Sequence, residues 1–230
     1  MRIEVIATDL TDAKLADQHG ADRIELVTGM AEGGLTPSYG LIEEVVRRVT
    51  IPAYVMIRPH SRSFCYSRDD LDTMIKDIQT VKRLGAPGVV LGALTKEKTI
   101  DETALSLLLE AAEGLDITFH RAFDEVADQE AALKVLLRYP QVTRVLTSGG
   151  KRSALDAVPQ MAKLVRLAEG THLTILAGSG LTVESLPAFS AQTGVKEVHF
   201  GSGVRVGGKS LAPIDPVKLE ALKAIVDSGM

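Results

Sequence analysis

The chain has 230 residues, 45% of them hydrophobic and 24% charged, which supplies enough apolar surface for a substantial core. A net charge of −4, with acids and bases interspersed, leaves no basic footprint for nucleic acid and no polybasic run for a membrane surface. No run of about 18 apolar residues offers a bilayer span, and the first ten residues carry acids and read as no secretory leader. The single cysteine, Cys65, excludes an internal disulfide or a CxxC site and fits a reducing cytoplasm.

Short β-rich runs alternate with longer helical patterns along the whole chain. Strands read near residues 2–6, 22–27, 53–58, 88–92, 115–120, 143–147, 173–177 and 196–200, each followed by a helix-length segment. After the second strand, Thr36-Pro37 puts proline at a first helical position, where its missing N–H costs nothing. Over residues 68–84, Leu71, Met74, Ile75, Ile78 and Val81 share one helical face. Ser67 reads as the N-cap there, Asp69 and Asp70 complement the helix dipole, and Gly85 reads as the stop. Thr99 and Glu102 have capping-box spacing at the next helix, Asp128 precedes an Ala- and Leu-rich one, and Thr182 precedes another. Asp215-Pro216 opens the last helix, in which Leu219, Leu222, Ile225 and Val226 share a face. With no linker or composition shift, residues 1–230 read as one domain.

Eight strand–helix pairs permit a closed barrel or an open doubly wound sheet. An open dinucleotide-binding sheet calls for GxGxxG after its first strand, and here that strand ends Ile6-Ala7-Thr8-Asp9. Its strands would also be apolar on both faces, whereas these alternate charge into the pattern. The expected fold is therefore a single (β/α)₈ barrel of the TIM type, with any site at the C-terminal ends of its strands.

Strand parity then says which side chains turn inward. If Ile24 and Leu26 face the helices, Arg23, Glu25 and Val27 face the interior, and the same logic turns Glu4, Tyr54, Met56, Arg58, Thr118, His120, Glu197 and His199 inward. Glu4, Arg23 and Glu197 sit low in their strands and read as buried ion pairs. Glu25, Arg58, His120 and His199 sit at strand ends and read as a site, because burying charge merely as filler is costly. The stretch Thr118 to Asp124 adds Arg121 and Asp124, suited to acid–base work or anion binding, or else to a capped turn with a surface ion pair. Glycine-rich turns follow strands six, seven and eight and contribute Ser148, Gly149, Gly178, Gly180, Gly201 and Ser202. These are ordinary connections or an anion site for a carboxylate or phosphate. His19 and His172 fall at the opposite end and read as structural, and His60 stays open between the two roles. The strand ends carry no lysine, which argues against Schiff-base chemistry.

The segments Ile24-Glu25-Leu26, Gly33 to Ser38, Met56 to Pro59, Phe64 to Ser67, Thr118 to Asp124 and Arg144 to Gly149 together resemble the CutC copper-homeostasis family. The resemblance implies a (β/α)₈ barrel, a cytoplasmic location, homo-oligomerisation and a role in copper tolerance. It carries family motif positions onto Glu25, Arg58, His120, Arg121, Asp124, Ser148, His199 and Ser202. Many members have cysteine directly after the Glu-Leu of strand two, where this chain has Val27. Copper(I) favours thiolate and thioether ligands, two or more together. Cys65, which reads more readily as a small buried hydrophobe than as a ligand, His120, His199, Met30 and Met56 are the donors on offer.

Three functions remain open on sequence. One is copper handling through those donors. The second is an isomerase- or lyase-type enzyme acting on a small anionic metabolite, phosphorylated or not, with Glu25 and His120 as acid and base and His199 assisting. The third is a barrel that binds such a molecule or a metal ion without chemistry.

Overall fold

The computed structural model describes residues 1–229. Eight parallel strands close into a barrel in chain order, β8 pairing back onto β1. They are β1 (Arg2–Ala7), β2 (Arg23–Leu26), β3 (Ala53–Met56), β4 (Gly88–Leu91), β5 (Asp116–Phe119), β6 (Val142–Thr147), β7 (Thr174–Gly178) and β8 (Glu197–Phe200). The helices between them are α1 (Leu10–Gln18), α2 (Tyr39–Arg48), α3 (Arg68–Arg83), α4 (Glu102–Ala111), α5 (Gln129–Leu136), α6 (Val158–Ala168), α7 (Leu186–Thr193) and α8 (Pro216–Asp227). Among the described residues no helix is long and apolar enough to cross a membrane.

All eight expected strands form. Several end before the residues that matter most: Val27, Arg58 and His120 lie just past the last paired position, at the rim where strand gives way to loop. The parity reading holds. Ile3, Val5, Ile24, Leu26, Val55, Val198 and their outward neighbours pack with the helices in one large core. Val27, Tyr54, Met56 and Val90 form a separate small cluster inside the barrel.

Three helix starts differ from the expected ones. Ser38, not Thr36, caps α2, so Pro37 lies ahead of the helix, and Thr36 instead holds Arg58. At α4 the cap is Asp101, whose carboxylate accepts from the Ala104 N–H, and Thr99 hydrogen-bonds Thr95 across a tight turn. Thr182 starts a turn rather than α7, which begins at Leu186. In each case a nearby polar side chain made a competing local hydrogen bond, which the spacing could not rank. The cap at Ser67 is as expected, a reciprocal box with Asp70, and Gly85 follows α3 in the left-handed region.

One buried ion pair locks the end of the barrel to its beginning. Arg205, beyond β8, is 1% exposed and donates to the Asp12 carboxylate of α1 at 2.8 Å and to the Ile6 carbonyl at 2.9 Å. Asp12 also accepts from the Ile214 N–H. Removing one partner of such a pair leaves an uncompensated buried charge. Asp12→Ala is expected to destabilise the protein by about 3–5 kcal/mol in urea unfolding, far more than an exposed Asp→Ala change.

Candidate functional site

Strand register puts the ionic residues of the interior on one level. Glu4 stands opposite Arg23 on one side and opposite His199 on the other. Its carboxylate accepts from Arg23 Nε through one oxygen and meets His199 Nδ1 at 2.7 Å through the other. Arg23 continues the chain to Glu197 at 2.7 Å. The other ring nitrogen of His199, Nε2, lies 3.8 Å from the Glu25 carboxylate. The result is a buried relay running from Glu197 through Arg23, Glu4 and His199 to Glu25.

Burial sets the protonation of this relay. Burial alone would raise the Glu4 carboxyl, but Arg23 and His199 outweigh it and bring it down to about 2. Glu25 has no such direct partner, and burial raises it to about 7 even though His199 pulls the other way. One Glu25 oxygen, Oε1, is buried without a hydrogen bond. Burial works against charge on the His199 ring, yet Glu25 and Glu4 prevail and raise its pKa.

Above this level a cavity of about 300 Å³ opens at the C-terminal ends of the strands. Glu25, Arg58, His120, Arg121 and His199 all line it, together with an apolar wall that includes Ile6, Val27, Met30, Met56 and Phe64. Gly180, Gly201 and Ser202 line it from the loops after β7 and β8.

Arg58 is 7% exposed and has no carboxylate partner among the described residues. Its Nη1 donates to the carbonyls of Glu32 and Gly34 at 3.1 and 3.2 Å, while Nε is buried without a hydrogen bond. The guanidinium carbon lies over the Phe64 ring, 4.5 Å from its centroid, and the same ring packs on His120 at 4.8 Å between centroids. Thr36 pins the Arg58 backbone through its hydroxyl and its N–H. The Gly33–Ser38 and Phe64 segments thus exist around Arg58. A Cβ at Gly33, where φ is +85°, would stand 3.2 Å from Arg58 Nη1.

His120 is 3% exposed. Its Nδ1 accepts from the Ala122 N–H at 3.2 Å, which assigns the hydrogen of the neutral ring to Nε2. Nε2 is buried and makes no hydrogen bond. Burial, then the nearby Arg58 charge, lower its pKa to about 3. No ion pair or hydrogen bond joins this ring to Glu25 among the described residues, although both line the same cavity. The neighbour of Glu25 is His199.

Other expected site residues are consumed in building the rim. Asp124 accepts from Arg121 Nε at 2.7 Å, from the N–H groups of Ser148 and Gly150, and from the hydroxyls of Thr147 and Ser148. With its oxygens so committed it is a staple between two loops, outside the cavity lining. Ser148 also takes a hydrogen bond from Arg121, and the Gly149 N–H donates to Thr147, so neither lines the cavity. Gly178 serves by lacking a side chain: a Cβ there would come within 2.8 Å of Leu146 and 3.1 Å of His199. His60 pairs with Asp70 at 3.3 Å, outside the cavity lining.

For metal ligation, the one cluster of His, Cys, Asp and Glu donors among the described residues is Glu4, Glu25 and His199. Both Glu4 oxygens are already engaged, one by Arg23 from outside the cluster and one by His199 Nδ1 within it. Cys65 is partly exposed and lines no part of the cavity, so it stands apart from His120 and His199. Met30, a donor candidate on sequence, does line the cavity, whereas sequence reasoning missed Ser179 and Ser210. The left-handed backbone of Ser179, φ +76°, is rare for a non-glycine residue and marks the β7 loop, but no residue type announces it.

The chain is similar to known proteins along most of its length. The model of the CutC family matches residues 1–204. A family protein CutC of Pasteurella multocida (strain Pm70) is 42% identical over 207 residues, 90% of this chain and 84% of that protein. The copper homeostasis protein cutC homolog of Homo sapiens is 41% identical over 216 residues, 91% of this chain and 78% of its own. A crystal structure of CutC from Streptococcus agalactiae matches with a TM-score of 0.81 at 34% identity, covering 86% of this chain and 97% of that one.

The raised carboxyl carries a stability signature. Folded Glu25 keeps its proton up to about pH 7, whereas in the unfolded chain it gives it up near 4.5. Its stabilising contribution is therefore complete below about 4.5 and is lost as pH rises through 7. The raised His199 works in the same direction. Glu25→Gln is expected to unfold a few degrees higher than the parent at pH 8, with the two converging near pH 5 in thermal scans.

Proposed function

The chain belongs to the CutC family, and from that premise and the geometry of the barrel mouth we propose that it is an enzyme acting on a small anionic metabolite. The anion is taken up at Arg58, and a proton is moved by Glu25 with His199 behind it. The observation that carries this reading is the state of Arg58: a buried cation in a cavity wall, met by two backbone carbonyls and the nearby Tyr66 hydroxyl but by no carboxylate among the described residues. Holding such a charge unpaired costs several kcal/mol, and a carboxylate or phosphate entering the cavity would complete it. Arg121, fixed on one edge by Asp124 and Ser148, offers a second cation at the rim. The loops after β7 and β8 stand where barrels of this type hold phosphate.

The proton chemistry follows from the relay. Ionised Glu4 accepts the Nδ1–H of His199 and so orients the ring with Nε2 toward Glu25. A carboxyl titrating near 7 can both take and return a proton at neutral pH, which is what a general acid–base group requires. Raised burial cost and a positioned imidazole thus serve the same end.

Copper(I) fits this mouth poorly. Its preferred thiolate is lacking, since Val27 stands inside the barrel and Cys65 outside the lining. The soft donors present are the thioethers of Met30 and Met56, packed against the apolar inner cluster, and Arg58 and Arg121 oppose a cation. On this reading the copper-homeostasis role named for the human relative would follow from the fate of the metabolite rather than from metal held here.

Calorimetry with small phosphates and carboxylates tests the proposal. Saturable binding is expected, weakened roughly 10- to 100-fold in Arg58→Leu, the worth of a charge-assisted hydrogen bond. Binding that ignores Arg58 would sink it, and tight binding with no product from any bound compound would leave a non-catalytic sensor. In the same experiment under reducing conditions, copper(I) is expected to show no saturable uptake; a stoichiometric complex lost in Met56→Leu would reverse that conclusion.

A further inference from the structure

We infer that the metabolite taken up here is an anionic α-hydroxycarbonyl compound, and that His120 is the neutral hydrogen-bond donor to its carbonyl oxygen while Glu25 shuttles the adjacent carbon-bound proton. The inference rests on the anion site and proton couple proposed above and names the substrate class for them.

The geometry of His120 carries it. Its Nδ1 is occupied by the Ala122 N–H, so the ring presents its one hydrogen at Nε2. Nε2 is buried and satisfied by no protein group, in a residue that lines the cavity beside Arg58 and Phe64. Protein interiors rarely leave such a donor idle without a ligand or water to meet it. Arg58 next to the ring disfavours a second proton on it, and the low basicity of His120 agrees with that. A neutral imidazole N–H cannot hand over a proton easily. It suits the polarisation of a carbonyl whose oxygen gains charge in the transition state.

The inventory of the cavity matches an enediol. That species has two oxygens on neighbouring carbons and one carbon-bound proton in flight. The cavity has two imidazoles, His120 and His199, and one near-neutral carboxyl, Glu25. In the forward step the Glu25 carboxylate takes the proton from the carbon bearing the hydroxyl. The C–H electron pair becomes the C=C bond as the carbonyl pair moves onto oxygen, where His120 donates its hydrogen bond. A proton passes from the second oxygen to the first, and Glu25 returns its proton to the former carbonyl carbon. The carbonyl and hydroxyl have then exchanged places, with no net gain or loss of electrons.

Proton exchange in heavy water tests this with defined probes. The full chain would be incubated with dihydroxyacetone phosphate, glyceraldehyde 3-phosphate and ribulose 5-phosphate, and loss of the α-proton signal followed by NMR. 2-Phosphoglycolate, which has no ketone or aldehyde to enolise, would report binding alone. Protein-dependent exchange is expected with at least one probe, abolished in Glu25→Gln and slowed about 100- to 1,000-fold in His120→Phe, the cost of losing one oxyanion donor. His120→Gln, which retains a donor, should recover part of that loss. 2-Phosphoglycolate should still bind both His120 variants.

The failures separate. Binding of 2-phosphoglycolate without exchange of any probe overturns the carbonyl inference and leaves the anion site standing. No binding of any of these anions removes both. Should His120→Phe fail to fold, nitrogen NMR of the parent decides. A His120 ring that stays neutral with its hydrogen on Nε2 from pH 5 to 8 supports the donor role, and one that titrates in that range overturns it.

Discussion

A carboxylate sealed inside a barrel stays ionised only if cations are packed around it, and Glu4 has its two as register neighbours, Arg23 on β2 and His199 on β8. Those bonds tie the first strand of the sheet to the second and the last, so the same contacts that close the barrel also orient His199. Glu25 stands two residues beyond Arg23 on the same inward parity. It meets no cation at hydrogen-bonding distance, and burial outweighs the more distant pull of His199, Arg23 and Arg121. Two glutamates a few ångströms apart are thereby driven in opposite directions, one held ionised and one held near neutrality. That separation is the usual way a fold equips itself for both acid and base chemistry.

Around this core, the rim is built by polar groups that give up their own availability. Asp124 spends its carboxylate on the loop after β6 and on Arg121. The Thr36 hydroxyl and the backbone carbonyls of Glu32 and Gly34 are taken up by Arg58. Of the six buried side-chain atoms without a hydrogen bond among the described residues, three belong to residues lining the cavity: Glu25 Oε1, Arg58 Nε and His120 Nε2. Buried polar atoms are normally satisfied, and three left without a partner in residues lining a single cavity are what the proposed uptake of an anion would complete.

The family's copper association and the chemistry of this mouth point in different directions, and the resolution is physical. Guanidinium groups, neutral imidazole and carboxyl are the surroundings on which the proposed oxyanion reading rests, whereas copper(I) favours sulfur ligands. The position after Glu25-Leu26 holds Val27, which packs with Tyr54, Met56 and Val90 as an ordinary core side chain.

The sequence by itself determined the barrel, since eight apolar runs of strand length, each followed by a helical pattern, leave few alternatives. It also determined which side chains turn inward, because strand side chains alternate with a period of two and Ile24 and Leu26 fix the outer face of β2. Glu25, Arg58, His120 and His199 were legible as strand-end residues for that reason, and they do share one cavity. Their partnerships were not legible. Parity gives a direction but no neighbour across the ring, so the pairing of Glu25 with His199 rather than His120 had to wait for closure of β8 onto β1, which fixed the stagger of the strands. The same holds for Asp124, whose role as a staple depends on a loop more than twenty residues away in the chain, and for Ser179 and Ser210, brought to the cavity by loop backbone conformations that no residue pattern encodes. Local preference is written residue by residue, whereas a site is a set of distances between distant segments, and those exist only once the chain has closed on itself.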